Sequence, residues 1–155
     1  HCIQLGSTVT AMIVFEDGKY LIGHVGDSRA YKISNSEISI LTKDQTIVAN
    51  EVRLGKLTPE EAARDPRRNV LLQCVGASRI VEPEYVGGTV ELGACYMLCS
   101  DGFRHEISAA EIQNAFAPIA NRDAAQMQTN IIRLIELNKS RGETDNITAL
   151  LIKVC

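Results

Sequence analysis

Three aspartates stand where a hydrophobic run meets a small polar turn: Asp27 in Gly26-Asp27-Ser28, Asp101 in Ser100-Asp101-Gly102, and Asp145 in Thr144-Asp145-Asn146. Carboxylate oxygens held at strand ends, beside turns that glycine permits, are what hard divalent cations bind. Any one of them alone reads as a turn residue accepting a backbone N–H. Three in a chain of 155 residues favour a metal-binding reading. Two histidines, His24 and His105, lie near these turns in sequence; packing or surface roles are the expectation for both.

Composition narrows the partners. A net charge of -3, with no basic cluster interleaved with aromatics, argues against nucleic acid. The small patch of Arg64, Arg67 and Arg68 is too small for a polyanion but could touch a phosphate or an acidic peptide. No apolar run approaches membrane-spanning length, and His1-Cys2-Ile3-Gln4 shows no signal-peptide pattern. The chain is long enough for one domain with a real core, taken as residues 1–155. Cys95 and Cys99 fall on one face of one strand, too far apart for a disulfide, and no Cys-x-x-Cys pair gives zinc spacing. Five cysteines of this kind read as buried free thiols in a reducing compartment, so a cytoplasmic location is expected.

The elements that must position the aspartates follow from pattern. Strands are expected over 7–16, 19–26, 29–33 and 38–42, with Asp17-Gly18 as a hairpin turn, together forming a four-stranded meander. Ile47, Val48, Val52 and Leu54 have rough helical spacing and stop at Gly55. Thr58-Pro59-Glu60-Glu61 starts a second short helix with a capping box, which Pro66 ends. Strands return over 82–91 and 94–100. Helices follow from Ser108, again with a capping box through Glu111, and from Asp123 to Asn138; a strand over 147–154 closes the chain. Runs of strands, then helices, then a strand indicate α+β with a sheet-rich core.

The ordered set Gly6-Ser7-Thr8, Val25-Gly26-Asp27-Ser28-Arg29-Ala30-Tyr31, Leu41-Thr42-Lys43-Asp44, Pro66-Arg67-Arg68-Asn69-Val70, Leu98-Cys99-Ser100-Asp101-Gly102 and Asp145-Asn146-Ile147-Thr148 resembles the metal-dependent serine/threonine phosphatases of the PP2C type, bacterial ones especially. The resemblance covers essentially the whole chain. It implies an antiparallel β-sandwich flanked by helix pairs, with two or three Mn2+ or Mg2+ ions at one end and hydrolysis of phosphoserine and phosphothreonine in proteins by activated water. By position, Asp101 and Asp145 match the catalytic pair that holds the metal, and Asp27 matches the carboxylate sharing a third ion with Asp101. Asn146, Gly102 and Ser28 would support these ligands without touching the ion. Residues 44–69 match a flap beside the site. Partners would be phosphoproteins that a Ser/Thr kinase has modified.

The chain also departs from that pattern. The family's early Asp-Gly-x-Gly-Gly turn, its phosphate-binding arginine and an acidic pair have no counterpart, since Asp17-Gly18 follows Gly6-Ser7-Thr8 and reads as the hairpin. The expectation is therefore a partial domain lacking the N-terminal strands, weak or inactive alone, and needing a missing N-terminal segment or a swapped partner. Ser7 replaces the usual Thr, Gln45 stands where His is frequent, and Gln73-Cys74-Val75-Gly76 stands where Arg-Ala-Leu-Gly is common. The competing reading is a non-catalytic, pseudophosphatase-like binding or regulatory module.

Overall fold

The computed structural model describes residues 5–155. The reading of the N-terminal residues, and Cys2 with it, lies outside the described residues.

Among the described residues, seven strands form two antiparallel sheets. The smaller has the order β1 (Val9–Val14), β2 (Lys19–Val25), β5 (Glu84–Thr89); the larger has the order β4 (Ile38–Ile40), β3 (Arg29–Ile33), β6 (Cys95–Cys99), β7 (Ala149–Lys153). The expected meander is thus corrected: β1 pairs with β2 and β3 with β4, but β2 and β3 belong to different sheets. The break falls at Gly26, whose φ of +111° suits glycine, and whose position a Cβ could occupy only 2.3 Å from the Thr8 side chain. The chain leaves one sheet there, and Asp27-Ser28 carries it into the other. The hairpin at Asp17-Gly18 is present as a turn of Glu16 to Gly18, with Phe15 N–H donating to Lys19 O at 2.8 Å and Gly18 at φ +78°.

Period-2 alternation turns Tyr20 and Ile22 of β2 toward Ala30 and Tyr96 of the larger sheet, which makes the core between the sheets. The larger sheet's other face carries Tyr31, Ile33, Cys95, Met97, Cys99 and Leu151 against Ile112 and Phe116 of α3 (Ala109–Phe116) and Leu134 of α4 (Ala124–Ser140). Both helices begin as the sequence predicts: Ser108 and Glu111 form a reciprocal capping box, and Asp123 accepts Gln126 N–H. Between β4 and β5 lie α1 (Ile47–Arg53) and α2 (Pro59–Arg64), the latter capped by the Thr58–Glu61 box and burying no residue.

Among the described residues, Cys95 and Cys99 are buried free thiols, as expected. Cys74 is half-buried and Cys155 exposed, so the expectation of uniformly buried cysteines is corrected; their segments lie in a loop and at the chain end, away from the sheet interior. Burial pushes the Cys99 thiol up to about 12, which keeps it protonated. Among the described residues no helix is long and apolar enough to cross a membrane.

Candidate functional site

The three aspartates are placed by the sheets' ends. Asp27 occupies the crossover from β2 to β3, Asp101 starts a single 3-10 turn directly after β6, and Asp145 lies in the loop that leads into β7. Because β3, β6 and β7 are consecutive neighbours in one sheet, their loops emerge side by side. Ser100 stitches two of them together: its N–H donates to Thr148 O at 3.0 Å, its Oγ donates to Asn146 O at 3.1 Å, and it accepts Thr148 N–H at 3.1 Å. Gly102 lets the loops close on each other. A Cβ there would lie 2.7 Å from Asn146 O and 3.2 Å from Asp145 Cβ, so a side chain would wedge the Asp101 and Asp145 loops apart.

Asp27 is buried, and burial first, then the nearby Asp101 carboxylate, push its pKa above the ordinary carboxylate value, with Arg104 opposing. Two carboxylates that penalise each other's charge form an arrangement that a cation relieves. Asp101 Oδ1 accepts the Gly102 N–H at 2.9 Å, and Asp145 Oδ1 accepts the Asn146 N–H at 2.7 Å. Asn146 contributes through its backbone, giving its N–H to Asp145 and its carbonyl to Ser100. Ser28 shares a hydroxyl contact of 3.0 Å with Thr8. Among the described residues, no group of three or more His, Cys, Asp or Glu side chains is arranged to hold a metal ion. Asp101, directly after β6, lies between the other two in strand order, β6 standing between β3 and β7, and its neighbour Gly102 packs against Asp145. The all-oxygen donors suit Mg2+ or Mn2+ rather than zinc, and a six-coordinate ion would draw further oxygens from water or elsewhere.

A polar cleft of about 280 Å3 opens beside Asp27, walled by Arg29, Asp44, Arg68, Arg104 and His105. Arg29 forks onto Asp44, with Nε and Nη2 each 2.7 Å from a carboxylate oxygen, and Arg104 Nη2 reaches the same carboxylate at 3.2 Å and Asp27 O at 3.0 Å. This trio anchors the Asp27 turn to the start of the segment 44–69. Within that segment, Arg67 is occupied by Glu51 and Asp65, tying α1 to the stretch after α2, whereas Arg68 lines the cleft. The Arg64–Arg68 patch is therefore divided between internal bracing and the cleft wall. A larger, mostly apolar recess of about 870 Å3 lies along Phe15, Tyr20 and Leu21 and holds none of the three aspartates.

His24 is a bracing residue. It is buried, its Nε2 lies 3.1 Å from Lys43 O and therefore carries the proton, and its Nδ1 accepts from Thr10 Oγ1 at 2.9 Å. His105 differs: Nδ1 lies 3.0 Å from Glu143 Oε2, and Nε2 lies 3.6 Å from Asp101 Oδ2. Sequence reasoning passed over Glu143 and Arg104 entirely. The only signal was their adjacency to Asp145 and Asp101, because their partners are distant in the chain.

No protein-family profile matches the chain. It is similar to the serine/threonine protein phosphatase PstP of Mycobacterium tuberculosis, at 33% identity over 150 residues, which is 97% of this chain and 28% of that protein. It is also similar to a putative protein phosphatase 2C-type of Streptococcus pyogenes, at 32% identity over 96% of this chain and 58% of the relative. The solved structure of the Mycobacterium tuberculosis PstP matches with a TM-score of 0.83 at 32% identity, covering 96% of this chain and 60% of that one. A structure of the PstP catalytic domain in complex with two manganese ions matches with a TM-score of 0.77 at 32% identity, over 94% of this chain and 57% of that one. The chain thus spans between about a quarter and three-fifths of the length of these relatives.

Proposed function

We propose, for a chain whose relatives are PP2C-type serine/threonine phosphatases and whose fold is theirs, that it forms the Asp27–Asp101–Asp145 part of a phosphatase centre acting on phosphoserine and phosphothreonine in proteins. The observation that carries this reading is that Asp27, Asp101 and Asp145 all lie at the same end of the neighbouring strands β3, β6 and β7, with Asp145 packed against Gly102. Asp27, Asp101 and Asp145 would hold Mn2+ or Mg2+, the remaining ligands coming from water, substrate or residues outside this set. When bound, such an ion supplies a water of lowered pKa and neutralises charge that builds on the phosphoryl group.

The chain's own residues prepare that site. The Arg29–Asp44–Arg104 trio fixes the Asp27 turn, its two guanidinium groups set against the carboxylates of Asp44 and Asp27. Arg68, on the flap side of the cleft, offers a further cation to an anionic substrate. Residues 44–69 serve as the flap beside the site. The protein works in a bacterial cytoplasm on the targets of a Ser/Thr kinase.

The test is phosphate release from a phosphothreonine peptide in Mn2+ and in EDTA, alongside Asp101→Asn. Release that needs metal and drops by about 100-fold or more in the variant is the expected result for loss of an electrostatic contribution of oxyanion-hole size. Release that EDTA and Asp101→Asn leave unchanged refutes the reading. A second reading, a non-catalytic binding or regulatory module, is favoured by one observation, the absence of a three-ligand cluster among the described residues. Mn2+-independent binding of the phosphopeptide without turnover would select it.

A further inference from the structure

A carboxylate outside the three aspartates reaches two of their loops at once. The Glu143 side chain is only 7% exposed. Its Oε1 accepts the N–H groups of Thr144 and Asp145, both at 2.8 Å, which shapes the turn that presents Asp145. Its Oε2 takes the Nδ1–H of His105 at 3.0 Å, and this leaves Nε2 as the atom that the imidazole turns toward Asp101 Oδ2, 3.6 Å away. The other Asp101 oxygen is already held by the Gly102 N–H. Rotation of the Asp101 carboxylate is therefore limited on one side by a backbone donor and on the other by the ring edge.

The anchor behind Glu143 is equally firm. Its N–H donates to Asn138 O at 3.1 Å at the end of α4, and the buried Asn138 side chain donates from Nδ2 to Phe103 O at 2.9 Å. The end of α4 thereby grips the Asp101 turn at Phe103 and the Asp145 loop at Glu143.

We propose that Glu143 and His105 are positioning residues that lock Asp101 and the Asp145 turn into one unit; this rests on the reading of those aspartates as cation ligands. Partners one step removed from a ligand commonly set its orientation, and removing them weakens metal binding by about 10–100-fold. Glu143→Gln is the sharper variant, because its amide oxygen can still receive the Thr144 and Asp145 N–H groups while its NH2 cannot accept from His105 Nδ1.

The experiment is calorimetric titration of MnCl2 into the full polypeptide, without substrate, for the unsubstituted protein, Asp101→Asn, Glu143→Gln, His105→Ala and His105→Gln, with circular dichroism confirming the fold. Asp101→Asn should abolish the site. Glu143→Gln and His105→Ala should each weaken Mn2+ by about 10–100-fold, and His105→Gln should recover part of the loss. Should His105→Ala fail to fold, Glu143→Gln decides alone. An unchanged Mn2+ affinity in folded Glu143→Gln and His105 variants overturns the positioning role and leaves the metal reading standing. If the unsubstituted protein shows no Mn2+ binding sensitive to Asp101→Asn, the metal reading falls and the positioning role with it.

Discussion

The two sheets meet solvent differently. The larger is covered on both faces, by the smaller sheet on one side and by α3 and α4 on the other. Among the described residues, the smaller is covered on one face only. Its outer face presents Val9, Ile13, Leu21 and Tyr85, with Ile13 57% and Tyr85 68% exposed. Asp101 and Asp145 both belong to loops of the doubly covered sheet, and Asp27 is the crossover into it. The residues read as ligands thus stand on the stiffer layer. Functional groups need sub-ångström placement, and packed strands supply it better than a half-bare sheet.

The strongest way to break this contrast is at Phe116, which is fully buried and stacked on Phe103 at 6.0 Å between ring centroids. Phe116→Ala should cost about 3–5 kcal/mol of unfolding free energy by urea titration. Ile13→Ser on the bare face should stay within about 0.5 kcal/mol. A comparable loss at Ile13 would mean that something covers that face in solution, and the contrast would disappear.

Next in size is Asp44→Asn, which leaves Arg29 and Arg104 facing each other without a counter-charge. With all three side chains largely shielded, a loss of about 3 kcal/mol is expected, sharpened by faster amide exchange at Asp27 and Ser28. Unchanged exchange there would detach the trio from the Asp27 turn.

The smallest effect is expected at the surface. Glu111 bonds to Arg141 and Ser108, and its pKa is held at about 2, below the usual 4.5. The sign follows from that lowering: the contribution is complete above pH 4.5 and is lost as pH falls toward 2. Between pH 6 and pH 3, Arg141→Gln should therefore lose less stability than the parent does, and the two should converge in acid. Parallel curves would show that this exposed pair contributes nothing measurable.

Much of the fold was legible because its cues are local. Ser108 with Glu111, and Thr58 with Glu61, announce helix starts within four residues, and both boxes are present. The meander was misread because alternation reports which face a residue takes, not which strand lies beside it; Gly26 ends one sheet with no change in the apolar pattern. Asp27, Asp101 and Asp145 stood out by their turns, and the strand order explains why those turns are neighbours. Arg104 and Glu143 did not stand out, and His105 was expected only to pack or to lie at the surface. Arg104 meets Asp44 60 residues away and Glu143 meets His105 38 residues away, and charge pairs at such separations leave no periodic trace.

One contact joins two residues set apart in the sequence. Gln45 and Gln73 touch: Gln73 Nε2 donates to Gln45 Oε1 at 2.9 Å, and the same oxygen receives the Gly26 N–H at 2.8 Å. Gln73 is also paired in both directions with Glu82, giving Nε2 to its carbonyl and accepting its N–H. A histidine at position 45 would have one ring acceptor for the two donors that meet Gln45 Oε1, and an arginine at 73 could still donate to both oxygens but could not accept the Glu82 N–H. The two positions are therefore expected to covary across relatives, so that drift at one is tolerated only when the other answers it.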